Sequence, residues 1–261
     1  MTSQNPNPEK RPILSCNGIT KRFGGLVAVN RVSLEVFPGE VVGLVGDNGA
    51  GKSTLIHMIS GVYRPDEGQM LVDGTEVRFS SPMDARSMGI ETIFQDLALC
   101  NNLSACDNIF LGRELVRRRL GIFKTLDREG MRKESERILK ELDIVIPGLQ
   151  RPIRQLSGGQ RQAVAISRSV YWNAKLLIMD EPTAALGVPE QRKVKELVQK
   201  LKERRVPVII ISHNMQEVFS VADRVVVMRR GHKVADLIAR ETNGEEIVSY
   251  IVGKEQTPTD R

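Results

Sequence analysis

The stretch Gly46-Asp47-Asn48-Gly49-Ala50-Gly51-Lys52-Ser53 decides the fold. It fits the pattern G-x-x-x-x-G-K-[ST] of a loop that wraps around phosphate groups. The mostly apolar residues 40–45 predict a short buried strand before it, and residues 52–59 predict a helix after it. The glycines between them allow a tight turn, whose backbone N–H groups and helix N-terminus form a concave site for phosphate oxygens. A glycine-rich turn that matched by chance would not need this strand and this helix.

A second anion-binding pattern follows about a hundred residues later, in Leu156-Ser157-Gly158-Gly159-Gln160. It opens a helical stretch, and glycines at the start of a helix expose N–H groups that can bind an anion. An ordinary helix cap with flexible glycines also fits the backbone, but it explains Leu156 and Gln160 less well. If the first loop already holds one nucleotide, a second phosphate site implies a partner, and two copies arranged head to tail would complete each other's sites.

Three further side chains follow apolar runs that predict strands. Asp180 and Glu181 end the run 176–179, and His213 comes after the run 208–211. We expect Asp180 to hold Mg²⁺ through water and Glu181 to polarise an attacking water. His213 is expected to contact the γ-phosphate. A solvated strand end and a structural histidine are the alternatives when these residues are considered alone.

Composition excludes some classes of function. The chain has 261 residues and a net charge of +6, but only 4% of its residues are aromatic, which argues against a surface that stacks nucleic-acid bases. Most Lys and Arg stand beside Glu on predicted helices, as on a solvated face. The run Arg117-Arg118-Arg119 could face a membrane, a partner or solvent. No apolar run approaches the ~18 residues that span a bilayer, and residues 1–11 do not resemble a signal peptide. The three cysteines, Cys16, Cys100 and Cys106, are expected to be free thiols in a reducing cytosol.

The remaining patterns alternate between strands and helices. Residues 13–37 predict two strands around the Gly24-Gly25 turn, Ser81-Pro82 predicts a helix start, and residues 91–94 predict a strand that ends at Gln95. The β signal fades over residues 96–155, where we expect a helical insert with a helix over 127–143. Beyond it we expect an amphipathic helix over 190–204, a hairpin over 224–237 that turns at Arg230-Gly231, and a last helix over 243–252 capped by Asn243 and Glu246.

In this order the motifs resemble the ATP-binding subunit of an ABC transporter, from about residue 13 to 253. The resemblance implies an α/β fold: a P-loop NTPase core whose mostly parallel sheet has flanking helices, with an N-terminal antiparallel β subdomain and an inserted α-helical subdomain. It implies one ATPase domain over 12–253. Residues 12–95 and 160–253 would form the core with the β subdomain, and residues 96–159 would form the insert that carries the signature motif. Residues 1–11 and 254–261 would be flexible tails.

The resemblance also implies roles for single residues. Lys52 would reach the β- and γ-phosphates, and Ser53, Gln95 and Asp180 would hold Mg²⁺, with Gln95 linking the two lobes. Lys52, Gln95, Glu181 and His213 would be catalytic. The signature residues Ser157, Gly158, Gly159 and Gln160 would contact ATP on the partner subunit. The expected ATP-binding residues are Gly46, Asp47, Asn48, Gly49, Ala50, Gly51, Lys52, Ser53, Thr54 and Phe23, the last as an aromatic ring that stacks on adenine, unless it is a core residue of an edge strand.

A narrower resemblance lies in residues 107–114, which look like the ATPases that import monosaccharides, and in residues 181–187, which are similar to the fructose-import member in particular. It implies a homodimer on the cytoplasmic face of the bacterial inner membrane, bound to a sugar permease and acting indirectly with a periplasmic sugar-binding protein, without nucleic acid. An ABC-type ATPase that acts on DNA or ribosomes is the alternative. Only 62 positions separate Gln95 from Ser157, which leaves no room for long coiled-coil arms, and the chain has room for one ATPase unit.

Two features depart from the family pattern. Most ATPases of the sugar group carry two fused copies, whereas this chain holds one and would pair with itself or with a second ATPase chain. After Leu186, in the D-loop, the family usually has Asp, and this chain has Gly187. The missing Asp puts communication between the two sites of a dimer in question, though not nucleotide binding.

Overall fold

The first two strands form an antiparallel hairpin, as the sequence predicts. In a computed structural model that describes residues 11–119, 123–184 and 186–253, β1 (Leu14–Phe23) pairs with β2 (Leu26–Val36) around Gly24-Gly25. The chain continues through β3 (Val41–Gly46) into α1 (Lys52–Ile59), which confirms the predicted strand, loop and helix. The strand β4 (Glu67–Val72) then pairs with β1, and β5 (Thr75–Val77) pairs with β4. These four strands form one sheet in the order β2-β1-β4-β5.

The second sheet of the structure has six strands and is mostly parallel. It has the order β12-β11-β3-β10-β9-β6, and its remaining members are β6 (Ile90–Ile93), β9 (Leu176–Asp180), β10 (Val208–Ile211), β11 (Arg224–Arg229) and β12 (His232–Ile238). Strands β3, β9, β10 and β11 run parallel, and β12 returns antiparallel to β11 at the predicted hairpin. The side chains of β10 are all buried, as expected for a parallel strand covered on both faces.

The described residues divide into two compact units. The first unit comprises residues 11–92, 175–181 and 201–253, and the second comprises residues 93–119, 123–174, 182–184 and 186–200. Besides α1 and the strands described above, the first unit contains the helices α2 (Pro82–Ser87), α7 (Met215–Val221) and α8 (Gly244–Val252). Its apolar core joins the four-stranded sheet to α1, and a smaller cluster packs α7 and α8 against β11.

The second unit is built around three helices. These are α3 (Ala105–Phe110), α4 (Arg128–Glu141) and α5 (Gly158–Tyr171), and they enclose a core that contains Ile109, Phe110 and Val164. Most of α6 (Val188–Glu203) also belongs to this unit. The predicted helices over 127–143 and 190–204 are therefore confirmed.

Two expectations about local structure were wrong. Residues 96–155 are not purely helical, because β7 (Val116–Arg119) and β8 (Phe123–Leu126) form an antiparallel pair within them. At the start of α8 the Asn243 side chain accepts the amide hydrogen of Glu246 as predicted, but the Glu246 carboxylate accepts from the Thr242 hydroxyl at 2.6 Å. Across residues 11–119, 123–184 and 186–253, no helix is both long and apolar enough to cross a bilayer.

Candidate nucleotide site

The phosphate loop, residues 46–53, joins the end of β3 to the start of α1. Gly51 is the cap residue of α1 and has φ +98°, a conformation that favours glycine. A Cβ atom at this position would stand 2.4 Å from the carbonyl oxygen of Ala28, so a side chain would also collide with the backbone of β2. The first N–H groups of a helix have no acceptor within the helix. The loop therefore offers backbone donors to an anion at the N-terminus of α1.

Lys52 is held against this loop. Its ammonium group donates to the carbonyl oxygens of Gly46 at 2.8 Å and Asp47 at 3.0 Å. Burial lowers the pKa of Lys52, while the carboxylates of Glu181, Asp47 and Asp180 act in the opposite direction. The ammonium group is therefore partly desolvated, and both of these acceptors are backbone carbonyl oxygens. Phosphate oxygens can replace them as acceptors.

Asp180 and Glu181 lie near the same sheet edge as the phosphate loop. In the register, Asp180 is level with Ile211 of β10, and Ile211 is level with Leu44 of β3. The carboxyl ends of neighbouring parallel strands meet at one edge, where open α/β sheets bind ligands. Burial raises the pKa of Asp180, and the negative charge of Glu181 raises it further. A nearby cation would reverse this unfavourable environment.

Glu181 and His213 contact each other directly. The Nδ1 atom of His213 lies 2.8 Å from Oε2 of Glu181, and the backbone N–H of His213 donates to Oε1 at 3.2 Å. Glu181 has φ +49°, a conformation that costs a side-chain-bearing residue on the order of 1–3 kcal/mol and is typical of functional sites. A neutral imidazole that donates from Nδ1 keeps only an acceptor at Nε2. His213 can therefore donate to a phosphate from Nε2 only when the ring is doubly protonated or when it leaves Glu181.

The oxygen ligands expected for Mg²⁺ fit that ion. Within the described ranges no group of three or more His, Cys, Asp or Glu side chains could hold a metal by themselves. Mg²⁺ is usually bound through one or two carboxylates together with substrate phosphates and waters, so a complete protein cage is not required. Ser53 in the first turn of α1 and Asp180 at the end of β9 are such donors. Gln95 is exposed and stands two residues beyond β6, at the beginning of the second unit.

The signature turn, residues 157–160, caps α5 with a reciprocal pair of hydrogen bonds. The amide of Gln160 donates to the Ser157 hydroxyl at 3.4 Å, and the amide of Ser157 donates to Oε1 of Gln160 at 2.9 Å. Leu156 is 6% exposed and belongs to the core of the second unit. The expectation that a helix cap explains Leu156 and Gln160 less well than an anion site was therefore wrong, because Gln160 completes the cap and Leu156 belongs to the core.

Phe23 is not a core residue of an edge strand. It ends β1, an inner strand of its sheet, and its side chain is 42% exposed. One edge contacts Tyr63 in a T-shaped arrangement with ring centroids 5.2 Å apart. A ring with this exposure can stack on a planar ligand. Its contact with adenine stays a prediction.

Sequence analysis missed one buried cation next to the site residues. Arg168 of α5 is 8% exposed, and its guanidinium donates to the carbonyl oxygens of Ala98 at 3.1 Å and Leu97 at 3.3 Å. The segment after Gln95 is thus held by the helix that starts at the signature turn. The available signal was an arginine four residues after Val164, on the apolar side of α5.

Comparisons with known proteins agree with this geometry. A profile of the ABC transporter family matches residues 29–184. The chain is 43% identical to the fructose import ATP-binding protein FrcA of Rhizobium meliloti, over 96% of this chain and 98% of that protein. It is 49% identical to the xylose/arabinose import ATP-binding protein XylG of Sulfolobus acidocaldarius, over 93% of this chain and 96% of that protein.

Solved structures give the same result. The ADP conformation of MJ1267, an ATP-binding cassette of an ABC transporter, superposes with a TM-score of 0.78 at 27% identity, over 94% of this chain and 96% of that chain. The dimeric structure of MJ0796, a bacterial ABC transporter cassette, superposes with a TM-score of 0.71 at 25% identity, over 87% and 99% of the two chains. With its phosphate loop, its mostly parallel sheet and its separate antiparallel sheet, the chain belongs to the ABC transporter family, as one of its ATP-binding cassettes.

Proposed function

We propose that this chain is the ATP-hydrolysing subunit of an ABC importer that drives uptake of a monosaccharide, and that fructose is the first sugar to test. One observation supports ATP hydrolysis: Lys52, Asp180 and the Glu181–His213 pair lie at or just beyond the carboxyl ends of three neighbouring parallel strands. The sugar part is supported by the relatives, whose names state fructose import and xylose/arabinose import.

ATP binding is assigned to the phosphate loop and its surroundings. Backbone N–H groups of the loop and the Lys52 ammonium group bind the phosphates, and Phe23 stacks on the adenine. Ser53, Asp180 and Gln95 hold Mg²⁺, which neutralises charge on the phosphates during transfer. Because Lys52 already lies against the loop, binding exchanges its two carbonyl acceptors for phosphate oxygens without a long movement of the side chain.

Hydrolysis is assigned to Glu181 and His213. Glu181 orients and polarises the attacking water, which is the role of a general base in phosphoryl transfer. Its two carboxylate oxygens both contact His213. Opening of this contact would free the carboxylate for water and a ring nitrogen of His213 for the γ-phosphate.

A second copy completes each site. The signature turn of one copy contacts ATP bound to the phosphate loop of the other, in a homodimer. The dimeric structure of the MJ0796 cassette supports this arrangement. The dimer acts on a membrane-spanning sugar permease at the cytoplasmic face of the bacterial inner membrane. A periplasmic sugar-binding protein delivers the sugar to that permease, and nucleic acid has no part in the cycle.

Sugar uptake in a deletion strain tests this proposal. Cells lacking the chain are supplied with the wild type, Lys52→Ala or Glu181→Gln, and uptake of labelled fructose, xylose and ribose is measured. The wild type should restore uptake of one sugar, and neither variant should. In purified protein Glu181→Gln should retain ATP and form a dimer, whereas Lys52→Ala should bind ATP poorly. Unchanged uptake of all three sugars on deletion, or DNA-stimulated ATP hydrolysis by the purified chain, would refute the proposal.

A further inference from the structure

The glycines of the signature turn are covered by two side chains of the segment 186–190. A Cβ atom on Gly158 would lie 2.6 Å from Cδ2 of Leu186. A Cβ atom on Gly159 would lie 2.8 Å from Cγ and 3.0 Å from Cβ of Glu190. Distances below 3.0 Å are essentially never seen for real Cβ atoms. At residue 159 the space that a side chain would need is therefore filled by the rigid part of Glu190, whereas at residue 158 it is filled by the flexible end of Leu186, which can shift.

Glu190 is fixed in this position by its helix. It lies in the first turn of α6, where a carboxylate is stabilised by the helix dipole. The next residue, Gln191, donates its amide hydrogen to the carbonyl oxygen of Gly187 at 2.9 Å and its side-chain amide to that of Leu186 at 3.0 Å. The part of Glu190 that touches Gly159 is the stem next to the backbone. An added side chain at residue 159 would have to displace the start of α6.

The carboxylate of Glu190 lies beside Gly187, where the family usually has Asp. A Cβ atom on Gly187 would stand 2.9 Å from Oε2 of Glu190. The flexible end of Glu190 can move aside, but an Asp at residue 187 would still bring a second negative charge next to the first. A glycine at residue 187 therefore leaves room for the Glu190 carboxylate and places no second negative charge beside it.

We propose that Glu190 is a positioning residue for the signature turn, and that it joins this turn to Gly187 in the D-loop. The stem of Glu190 joins the signature turn to residues 186–187, so the two segments move together. This inference rests on the proposed function, because it assumes that the signature turn meets ATP on a second copy.

The first experiment compares Glu190→Ala, Glu190→Gln and the control Glu196→Ala, which removes an exposed carboxylate two turns along the same helix. ATP turnover, binding of a fluorescent ATP analogue and thermal unfolding are measured on the full chain. Since a shift of about 1 Å at a catalytic group can cost on the order of 100-fold, we expect Glu190→Ala to lower kcat by about 10-fold or more. Analogue binding to the chain's own phosphate loop should stay unchanged, and Glu190→Gln, which keeps the stem, should remain close to wild type. Wild-type kcat in Glu190→Ala would overturn the inference.

The second experiment uses rescue, which simple loss of stability cannot produce. Gly159→Ala should abolish turnover, and the double variant Gly159→Ala/Glu190→Gly, which removes both the Cγ and the Cβ atom that the new methyl group meets, should recover to the level of Glu190→Gly alone. Likewise Gly187→Asp should lower kcat, and Gly187→Asp/Glu190→Gln should recover it. A double variant no better than Gly159→Ala, or a Gly187→Asp variant with raised kcat, would overturn the inference. Lys52→Ala separates the two proposals, because turnover that survives this change contradicts the proposed function and not the role of Glu190.

Discussion

Replacing Arg168 by lysine should loosen the segment that follows Gln95. The arginine is nearly buried, and its two terminal nitrogens reach two successive carbonyl groups, those of Leu97 and Ala98. Ala98 has φ +48°, which is unfavourable for alanine and must be offset by its surroundings. The two hydrogen bonds from the Arg168 guanidinium offset part of this cost. They hold the backbone of Leu97 and Ala98, which stand two and three residues after Gln95.

The expected loss of stability follows from the geometry of the two side chains. Lysine keeps the charge, but its ammonium is a single point that cannot replace a fork bonded to two carbonyls. One hydrogen bond to a charged donor is then lost, and such bonds contribute about 1.5–3 kcal/mol each. For a chain of this size, 1 kcal/mol corresponds to about 2–4 °C, so Arg168→Lys should lower Tm by about 3–12 °C.

Urea unfolding followed by circular dichroism measures this loss, and tryptophan emission reports on the local change. The chain has one tryptophan, Trp172, and the guanidinium carbon of Arg168 lies 5.9 Å from its ring centroid. Arg161→Lys, an exposed arginine on the same helix, is the matched control and should behave as wild type. Adding Ala98→Gly to Arg168→Lys should restore part of the stability, because glycine adopts a positive φ without strain.

ATP turnover should fall in Arg168→Lys, because the backbone that follows Gln95 is held less firmly and the position of Gln95 is less well defined. The reasoning would be refuted by a variant whose free energy of unfolding stays within about 0.5 kcal/mol of wild type, the range expected for a surface substitution, and whose Trp172 emission is unchanged. The carbonyl contacts would then contribute nothing to holding this segment.

Three other changes give separate tests. Burial raises the pKa of Asp180 above its usual 3.8, so the contribution of Asp180 to stability is present at low pH and is lost as the pH rises through the folded-state pKa. Asp180→Asn should therefore raise the Tm of the nucleotide-free chain at pH 7. A lower Tm would contradict this. Phe23→Ala should weaken ATP binding about 10-fold, since stacking on a base contributes about 1–3 kcal/mol, with little change in Tm; titration with ATP and thermal unfolding check the two parts. Arg224 is bonded to Glu40 and Asp236 at 2.7 Å each and is largely buried, so Arg224→Met should lower the free energy of unfolding by about 3–5 kcal/mol, measured in urea.

Local chemistry explains which elements could be predicted from sequence. The junction of β3, the phosphate loop and α1 depends on glycines and apolar residues within a few positions, and so do the cap at Ser157 and the hairpin at Arg230-Gly231. The β4–β5 hairpin had an equally local signal, since Asp73-Gly74 is a preferred two-residue turn, and both residues have positive φ. The sequence indicates this hairpin only weakly because β5 has only three residues.

Contacts between distant segments could not be predicted. The pair Arg168–Ala98 joins residues that are 70 positions apart, and no periodicity in either segment indicates the other. The β7–β8 pair was missed for another reason. Its strands consist of four residues each, and basic residues obscure the apolar–polar alternation that identifies longer strands.

The signature turn shows where sequence patterns stop distinguishing function from structure. Leu156 packs in the core, and Gln160 completes a capping box. Leu186 and Glu190 occupy the space where side chains on Gly158 and Gly159 would lie. Each of these residues thus has a packing or capping contact in this turn that does not involve a nucleotide. Two kinds of donor are left for a ligand: the Ser157 hydroxyl, which accepts from the Gln160 amide and can still donate its own hydrogen, and the first N–H groups of α5. The case for a phosphate at this turn therefore depends on the backbone and on a second copy of the chain to present it.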